Sequence, residues 1–587
     1  MAKERLTGGE MIAKYMKSQG TPFAVGIPGH GCLGLVDAFY EHGIDVVQVR
    51  HEQSAAHLAD AYFRVTGKPV VAFTSIGPGG CNTTIGVATA YVDSSALIVI
   101  TGSTHVRWRG HGVLQEIERS HWNDFASILE PVVKQSYEIS SLEQLPWVLH
   151  NAWKAATTGR PGPVHIDLPM DMQSESMEVE LFDDPVAKRG DYRPYANPEK
   201  IDEAVDMLLA AENPVILAGG GVLHSGAMKE LQSLAEGMAI PVVATMAGKG
   251  AFPEDHDLFG YYPGTKGSPV GNELTSNADV LLALGCRFAD ETTSSYKPGV
   301  SFEGSKTKFI QVDIDAYEVG KNYEVAIPLV ADVKAALSQM LNKLDEKGAR
   351  HPDFKTSDTV QELRKKKQEW FSQLKKQREY EPMTISRLLA EIRAVLPRDA
   401  YVVTSAGHTQ AALFQEFPIY EPGTHITSGG FSTMGFGLPA AMGVKLAEPE
   451  RTVMAVEGDG SFLMTSQELA TAVQYNIPIR VVLADNQGWI SIRDLQKNAY
   501  GKERGYATEF LSKNDGKPTS PNWVKMAEAY GCWAKYADSP DVVGKVLKEA
   551  LSIDGPALVV TEVNREHPTS ESPVYGWWDV PKPTYLE

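Results

Sequence analysis

Only four cysteines, Cys32, Cys81, Cys286 and Cys532, are spread over 587 residues. They form no CxxC pair, so neither a disulfide framework nor a cysteine-based zinc site is expected. A reducing compartment, the cytoplasm, is the expected setting. Long apolar runs are missing too: none approaches the ~18 residues that cross a bilayer. The first twenty residues carry charge throughout and lack the apolar stretch of a secretory signal. Positive charge is in deficit, with 55 Lys and Arg against 74 Asp and Glu, a formal charge of −19. Neither nucleic acid nor an anionic membrane is therefore expected as a partner. What is present is a globular composition, 43 % apolar, long enough for about three domains.

Short β-branched runs alternate with helical patterns almost from end to end. Residues 22–29 (PFAVGIPG) read as a strand and its exit, 33–42 as a helix, 45–49 as a strand, 52–65 as a helix and 70–74 as a strand. That rhythm predicts an α/β fold of doubly wound parallel sheets. Ligands of such sheets lie beyond the strand C-termini, where Gly-rich turns enter helices. Two polar stretches divide the chain, around residues 181–200 and from about 346 to 382. The second contains the run Lys365–Lys367, which reads as a solvated helical face. The expected domains are 1–185, 190–345 and 380–570, followed by a tail, 571–587.

The most specific motif lies in the third domain: Gly458-Asp459-Gly460-Ser461, then Asp485-Asn486-Gln487-Gly488. Each follows a strand-like run, which places both on one rim of a sheet. An Asp carboxylate, an Asn amide oxygen and a backbone carbonyl are the hard donors that suit Mg²⁺. Gly460 and Ser461 open a helix whose N–H groups can face a diphosphate. Asp, Asn and Gly also abound in plain strand-exit turns; two such motifs, each behind a buried strand, favour the metal site.

With these motifs the chain resembles the thiamine-diphosphate (ThDP) enzyme family, on its acetolactate-synthase-like branch, over nearly its whole length. The resemblance implies a pyrimidine-binding first domain, a central domain and a diphosphate-binding third domain. It implies Asp459, Asn486 and the Gly488 carbonyl as Mg²⁺ ligands. His408, in SAGHTQ, would contact the diphosphate. In SGGFSTMGFGLP, Met434 would wedge between the cofactor rings, and the Ser432 carbonyl, where the family usually has Gly, would meet the aminopyrimidine. Trp489 and Ile490 would border the pocket. Glu52, in VRHE, would be the catalytic carboxylate; taken alone, a Glu at a helix start simply suits the helix dipole. Pro28, Pro78 and Asn82 would line the site, the last two in TSIGPGGCN, which carries one residue more than most acetolactate synthases. Gln115 would line the substrate pocket. Because the family builds its site from the first domain of one subunit and the third of another, a homodimer or a dimer of dimers is implied.

The central domain's AGGG (218–221), TMAGKG (245–250), Gly285-Cys286-Arg287 and Asp313-Ile314-Asp315 resemble the FAD-binding elements of acetolactate synthase, so FAD is a candidate cofactor. A purely structural domain is the alternative. Glu291 stands where the family has an arginine. Leu495 stands where biosynthetic members have a tryptophan, and Pro28-Gly29-His30-Gly31 replaces a Gly-Gly pair. His30 is then a candidate acid/base. The expected activity is a carboligase that decarboxylates a 2-oxo acid such as pyruvate and joins the fragment to a second carbonyl. GHG with SIGPG also resembles the hydrolases that open trihydroxycyclohexanedione, which makes a C–C hydrolase of a cyclic 1,2-diketone the alternative. A non-catalytic paralogue is the third reading, and Glu52 argues against it.

Overall fold

The computed structural model describes residues 3–117, 125–181, 192–566 and 580–586. Three parallel sheets organise it. The first comprises β1 (Phe23–Gly26), β2 (Asp45–Gln48), β3 (Val71–Thr74), β4 (Ile98–Ser103), β5 (Gln135–Glu138) and β6 (Val164–Pro169), in the order β2-β1-β3-β4-β6-β5. The central sheet comprises β7 (Pro214–Ala218), β8 (Val242–Ala244), β9 (Val280–Leu284), β10 (Lys308–Asp313) and β11 (Val325–Val330), in the order β8-β7-β9-β10-β11. The third comprises β12 (Tyr401–Thr404), β13 (His425–Thr427), β14 (Val453–Gly458), β15 (Arg480–Asp485), β16 (Trp533–Tyr536) and β17 (Ala557–Glu562). Its order, β13-β12-β14-β15-β17-β16, repeats that of the first sheet. Central strands such as VAFT and IVITGS are buried at every position, as strands covered on both faces must be.

In the first sheet the winding reverses between β1 and β3, and in the third between β12 and β14. Within each sheet the loops leaving those two strands therefore open side by side, where doubly wound sheets bind ligands. They contain Pro28–Gly31, Ser75–Pro78, Ser405–His408 and Asp459–Ser461.

Eight helices bear on the site: α1 (Glu52–Thr66), α2 (Pro78–Val92), α3 (Asp358–Gln377), α4 (His408–Glu416), α5 (Gly437–Ala447), α6 (Asp459–Phe462), α7 (Glu468–Gln474) and α8 (Ile490–Tyr500). Helix α1 packs on α5, so the first and third domains share one apolar core containing Val25, Leu58, Val403 and Ala441. The approach is close: a Cβ on Gly443 would lie 2.2 Å from the Leu58 carbonyl oxygen. The start of α1 is held from the third domain. Glu468 Oε1, on α7, accepts the N–H groups of Arg50 and His51 at 3.0 and 3.1 Å. Those bonds fix the residue that follows, Glu52.

His57 lies inside this interface, edge-on to Phe436 with ring centroids 5.3 Å apart. Both ring nitrogens are buried without a hydrogen-bond partner among the described residues, and burial pushes the pKa down to about 4. The unfolded chain protonates this ring near pH 6.5, so folding is increasingly opposed as pH falls from 6.5 towards 4. The full penalty is roughly 3 kcal/mol. His57→Phe is therefore expected to lose less thermal stability than the wild type between pH 7 and pH 5. Parallel losses would remove His57 from the acid response.

The linker is helical, as α3, but its lysines are not all solvated. Lys367 is half-buried, and its Nζ donates to the His256 and Asp257 carbonyls at 2.9 and 3.2 Å. That burial lowers its pKa to about 8. Lys366 pairs with Glu273 at 3.1 Å. Leu363, Trp370 and Leu374 bury against Val270. The run clamps the linker onto the central domain, a correction to the solvated face expected from its charge.

Candidate active site

The first domain contributes the loops after β1 and β3 and the start of α1. Glu52 Oε2 accepts a hydrogen bond from Asn82 Nδ2, on α2, at 2.9 Å. Gly79, one residue after Pro78, lets α2 approach: a Cβ there would lie 3.2 Å from Glu52 Oε1. The extra residue of TSIGPG is Ile76, and the GHG sequence makes room for it. A Cβ on Gly31 would meet Ile76 Cγ1 at 2.2 Å, and one on Gly29 would meet Ser75 Cβ at 2.5 Å. The two departures from the family pattern are thus one packing solution, and it leaves His30 exposed. Gln115 lies over the same loop; a Cβ on Gly77 would sit 2.0 Å from its carbonyl oxygen. The segment after Ile117, through residue 124, lies outside the described residues.

The third domain contributes the exits of β12, β14 and β15 and the stretch before α5. The Asn486 amide lies 3.0 Å from the Gly488 carbonyl oxygen and 3.1 Å from Asp459 Oδ1, its nitrogen best turned towards both. The Gly488 N–H donates to Asp459 Oδ2 at 3.0 Å. Mg²⁺ with octahedral ligands at ~2.1 Å keeps adjacent ligands about 3 Å apart, and turning the amide over presents its oxygen. The donor set therefore fits Mg²⁺. Burial and the neighbouring Asp485 raise the Asp459 pKa to about 7, a penalty that a bound cation would offset. Among the described residues no cluster of three His, Cys, Asp or Glu offers another metal site.

His408 opens α4 and is buried, 3.7 Å from Asp494 Oδ2. Burial, then Arg493 and Lys266, push its pKa down to about 3, so near neutral pH the ring is uncharged and presents one N–H. Helix α6, expected behind Gly460, is a single turn. Trp489 covers Gly460, whose Cβ would lie 2.6 Å from the indole Nε1. Ile490 is buried at the start of α8. Met434 remains 37 % exposed and Trp489 39 %.

Ser432 has φ +55° and Gln115 φ +70°. Left-handed backbone at non-glycine residues is unfavourable and gathers at functional sites. The conformation explains why the family prefers Gly where this chain has Ser432. Ser432→Gly should raise stability by about 0.5–1 kcal/mol, strain relief outweighing the added chain entropy. The check is thermal unfolding; a lower midpoint would contradict the strain.

Two features were not legible from motifs. Glu457, just before GDG, is buried with its pKa raised to about 7; an acid ending an apolar strand was the available signal. Lys266 lies 3.5 Å from Glu291 Oε1 and 3.5 Å from Gln410 Oε1, and nothing local in the sequence pairs those positions. In the central domain, Gly220, Gly221, Thr245, Gly285, Arg287 and Asp313 line one cavity, so the FAD-like stretches do converge. Asp313 has its pKa raised to about 6 by burial.

Family models for thiamine pyrophosphate enzymes match the N-terminal TPP-binding domain over residues 6–122, the central domain over 201–340 and the C-terminal TPP-binding domain over 405–561. The chain is 36 % identical over 569 residues to the probable acetolactate synthase large subunit of Methanocaldococcus jannaschii, covering 94 % of this chain and 91 % of that one. It is 35 % identical over 557 residues to the acetolactate synthase isozyme 3 large subunit of Escherichia coli, covering 93 % and 92 %. With the large subunit from Lactococcus lactis the identity is 34 % over 568 residues, covering 96 % and 93 %. The chain belongs to the thiamine pyrophosphate enzyme family and is an acetolactate-synthase-like, thiamine-diphosphate-dependent enzyme.

Proposed function

We propose that the protein is a Mg²⁺-dependent carboligase that decarboxylates a 2-oxo acid such as pyruvate and joins the remaining fragment to a second carbonyl. The observation that carries this reading is the convergence of Asp459, Asn486 and the Gly488 carbonyl to 3.0–3.1 Å in a chain that also holds Glu52 against Asn82. Bound ThDP supplies the carbanion-stabilising chemistry. Asp459, Asn486 and Gly488 would hold the Mg²⁺, and neutral His408 would donate to the diphosphate. Glu52 would hold a proton at its carboxyl and pass it to the aminopyrimidine N1′, with Asn82 fixing its orientation. Trp489 would shield the diphosphate turn from water.

Two copies of the chain would complete each site. Large apolar side chains stand exposed in both domains, Leu33, Ile85 and Leu114 in the first and Phe431, Met464 and Trp489 in the third, and a partner copy would cover them. Glu52 is held by Asn82 in the first domain and Asp459 by the Gly488 N–H in the third, so a partner copy would bring the two halves together. FAD in the central cavity would be structural, since carboligation transfers no net electrons. Flavin absorption of the purified protein tests it.

The test of the activity is incubation with pyruvate, ThDP and Mg²⁺, followed by NMR of the products. Acetolactate or another acyloin with CO₂ release is the expected result. Pyruvate left unchanged, with ring opening of a cyclic 1,2-diketone instead, would establish the hydrolase reading. The exposed His30 and Leu495, in place of the tryptophan of biosynthetic members, give that reading its support.

A further inference from the structure

Glu457 ends an otherwise apolar run, Val453–Val456, and its side chain is buried, 1 % exposed. Its Oε1 accepts the Ser405 hydroxyl at 2.9 Å. Ser405 Oγ in turn accepts the Gly437 N–H at 2.7 Å. The Ser461 hydroxyl lies close to the same carboxyl, whose Oε2 has no hydrogen-bond partner among the described residues, and Ser461 Oγ accepts the Gly435 N–H at 2.8 Å. Gly437 and the carboxyl fix one another: a Cβ there would sit 1.5 Å from Glu457 Oε1.

A buried carboxyl is costly unless its hydrogen bonds are needed. Among the described residues no lysine or arginine pairs with Glu457, and an apolar side chain would fill this strand end at lower cost. What the carboxyl does provide is a junction of three segments. Ser405 starts the loop to His408, Gly435 and Gly437 follow Ser432 and Met434, and Ser461 follows Asp459. Each segment carries residues assigned above to the cofactor, and no covalent or regular secondary-structure link joins all three.

We infer that Glu457 is a positioning residue that locks these three loops into one cradle for the diphosphate half of the cofactor without itself touching the cofactor. The inference rests on the ThDP reading and adds a residue to it. Its chemistry is that of a hydrogen-bond acceptor of defined reach. Glutamine keeps an acceptor oxygen in the same place; leucine fills a similar volume and cannot accept.

The experiment compares wild type, Glu457→Gln and Glu457→Leu by calorimetric titration of ThDP at saturating Mg²⁺ and by thermal unfolding without cofactor. The glutamine variant should bind within about threefold of wild type. The leucine variant should bind about 10- to 100-fold more weakly, as when an outer-shell partner is lost, with an unfolding midpoint at or above that of wild type. Equal affinity of all three proteins would overturn the inference, as would equal losses in both variants. Affinity and cofactor-free stability falling together would reduce Glu457 to a folding role. Hydrogen exchange at the Gly435 and Gly437 amides, measured without cofactor, separates this inference from the ThDP reading. Faster exchange in Glu457→Leu alone supports the cradle even if wild type binds no ThDP; unchanged exchange overturns it.

Discussion

Glu52→Gln is expected to slow deuterium exchange at thiamine C2 by ~10²–10⁴-fold, the usual weight of general acid–base assistance, equivalent to roughly 3–5 kcal/mol of barrier. Glutamine is nearly isosteric, can still reach N1′ and can still receive the Asn82 amide, whose distance to Glu52 Oε2 is 2.9 Å. It cannot transfer a proton. Because Glu52 lies in the first domain and the proposed Mg²⁺ and diphosphate contacts lie in the third, ThDP affinity should change much less than the exchange rate. The exchange is read by quenched-flow NMR in both proteins. Wild-type rates in the variant would show that another group activates the cofactor. A parallel collapse of affinity would show that Glu52 holds the ring rather than moving a proton.

Asp459→Ala should weaken Mg²⁺-dependent ThDP binding by about 100-fold or more, since even outer-shell losses cost ~10–100-fold in metal affinity. The physical reason is geometric. Asp459 Oδ1 is one corner of the 3.0–3.1 Å cluster, and its Oδ2 accepts the Gly488 N–H that orients a second corner. The variant loses a ligand and loosens another. Asn486→Leu should follow the same course, whereas Glu52→Gln should not. An affinity within twofold of wild type for Asp459→Ala would remove the metal assignment.

Much of the fold was legible because it rests on local signals. Buried parallel strands are short apolar runs, and β3 begins and ends within a residue of the expected 70–74. Glycines marked the strand exits, and GDGS with DNQG marked the rim where Asp459, Asn486 and the Gly488 carbonyl converge. The less legible features depend on distant packing. Ile76 and the glycines at 29 and 31 read as two separate departures, and only their contact shows them to be one accommodation. Lys367 reads as one charge in a run, yet its helix face, turned towards two carbonyls, makes it a clamp. Glu457 and Lys266 act across elements far apart in sequence, so no motif contains them. Substrate choice is the least legible, because His30, Gln115 and Leu495 lie far apart in sequence and no local motif says what they would face.

The most direct test of the central claim is a calorimetric titration of ThDP into the wild-type protein with and without Mg²⁺. Saturable binding that requires Mg²⁺, with a stoichiometry of one cofactor per chain, is the predicted result. No binding, or equal binding in the presence of a chelator, would contradict it.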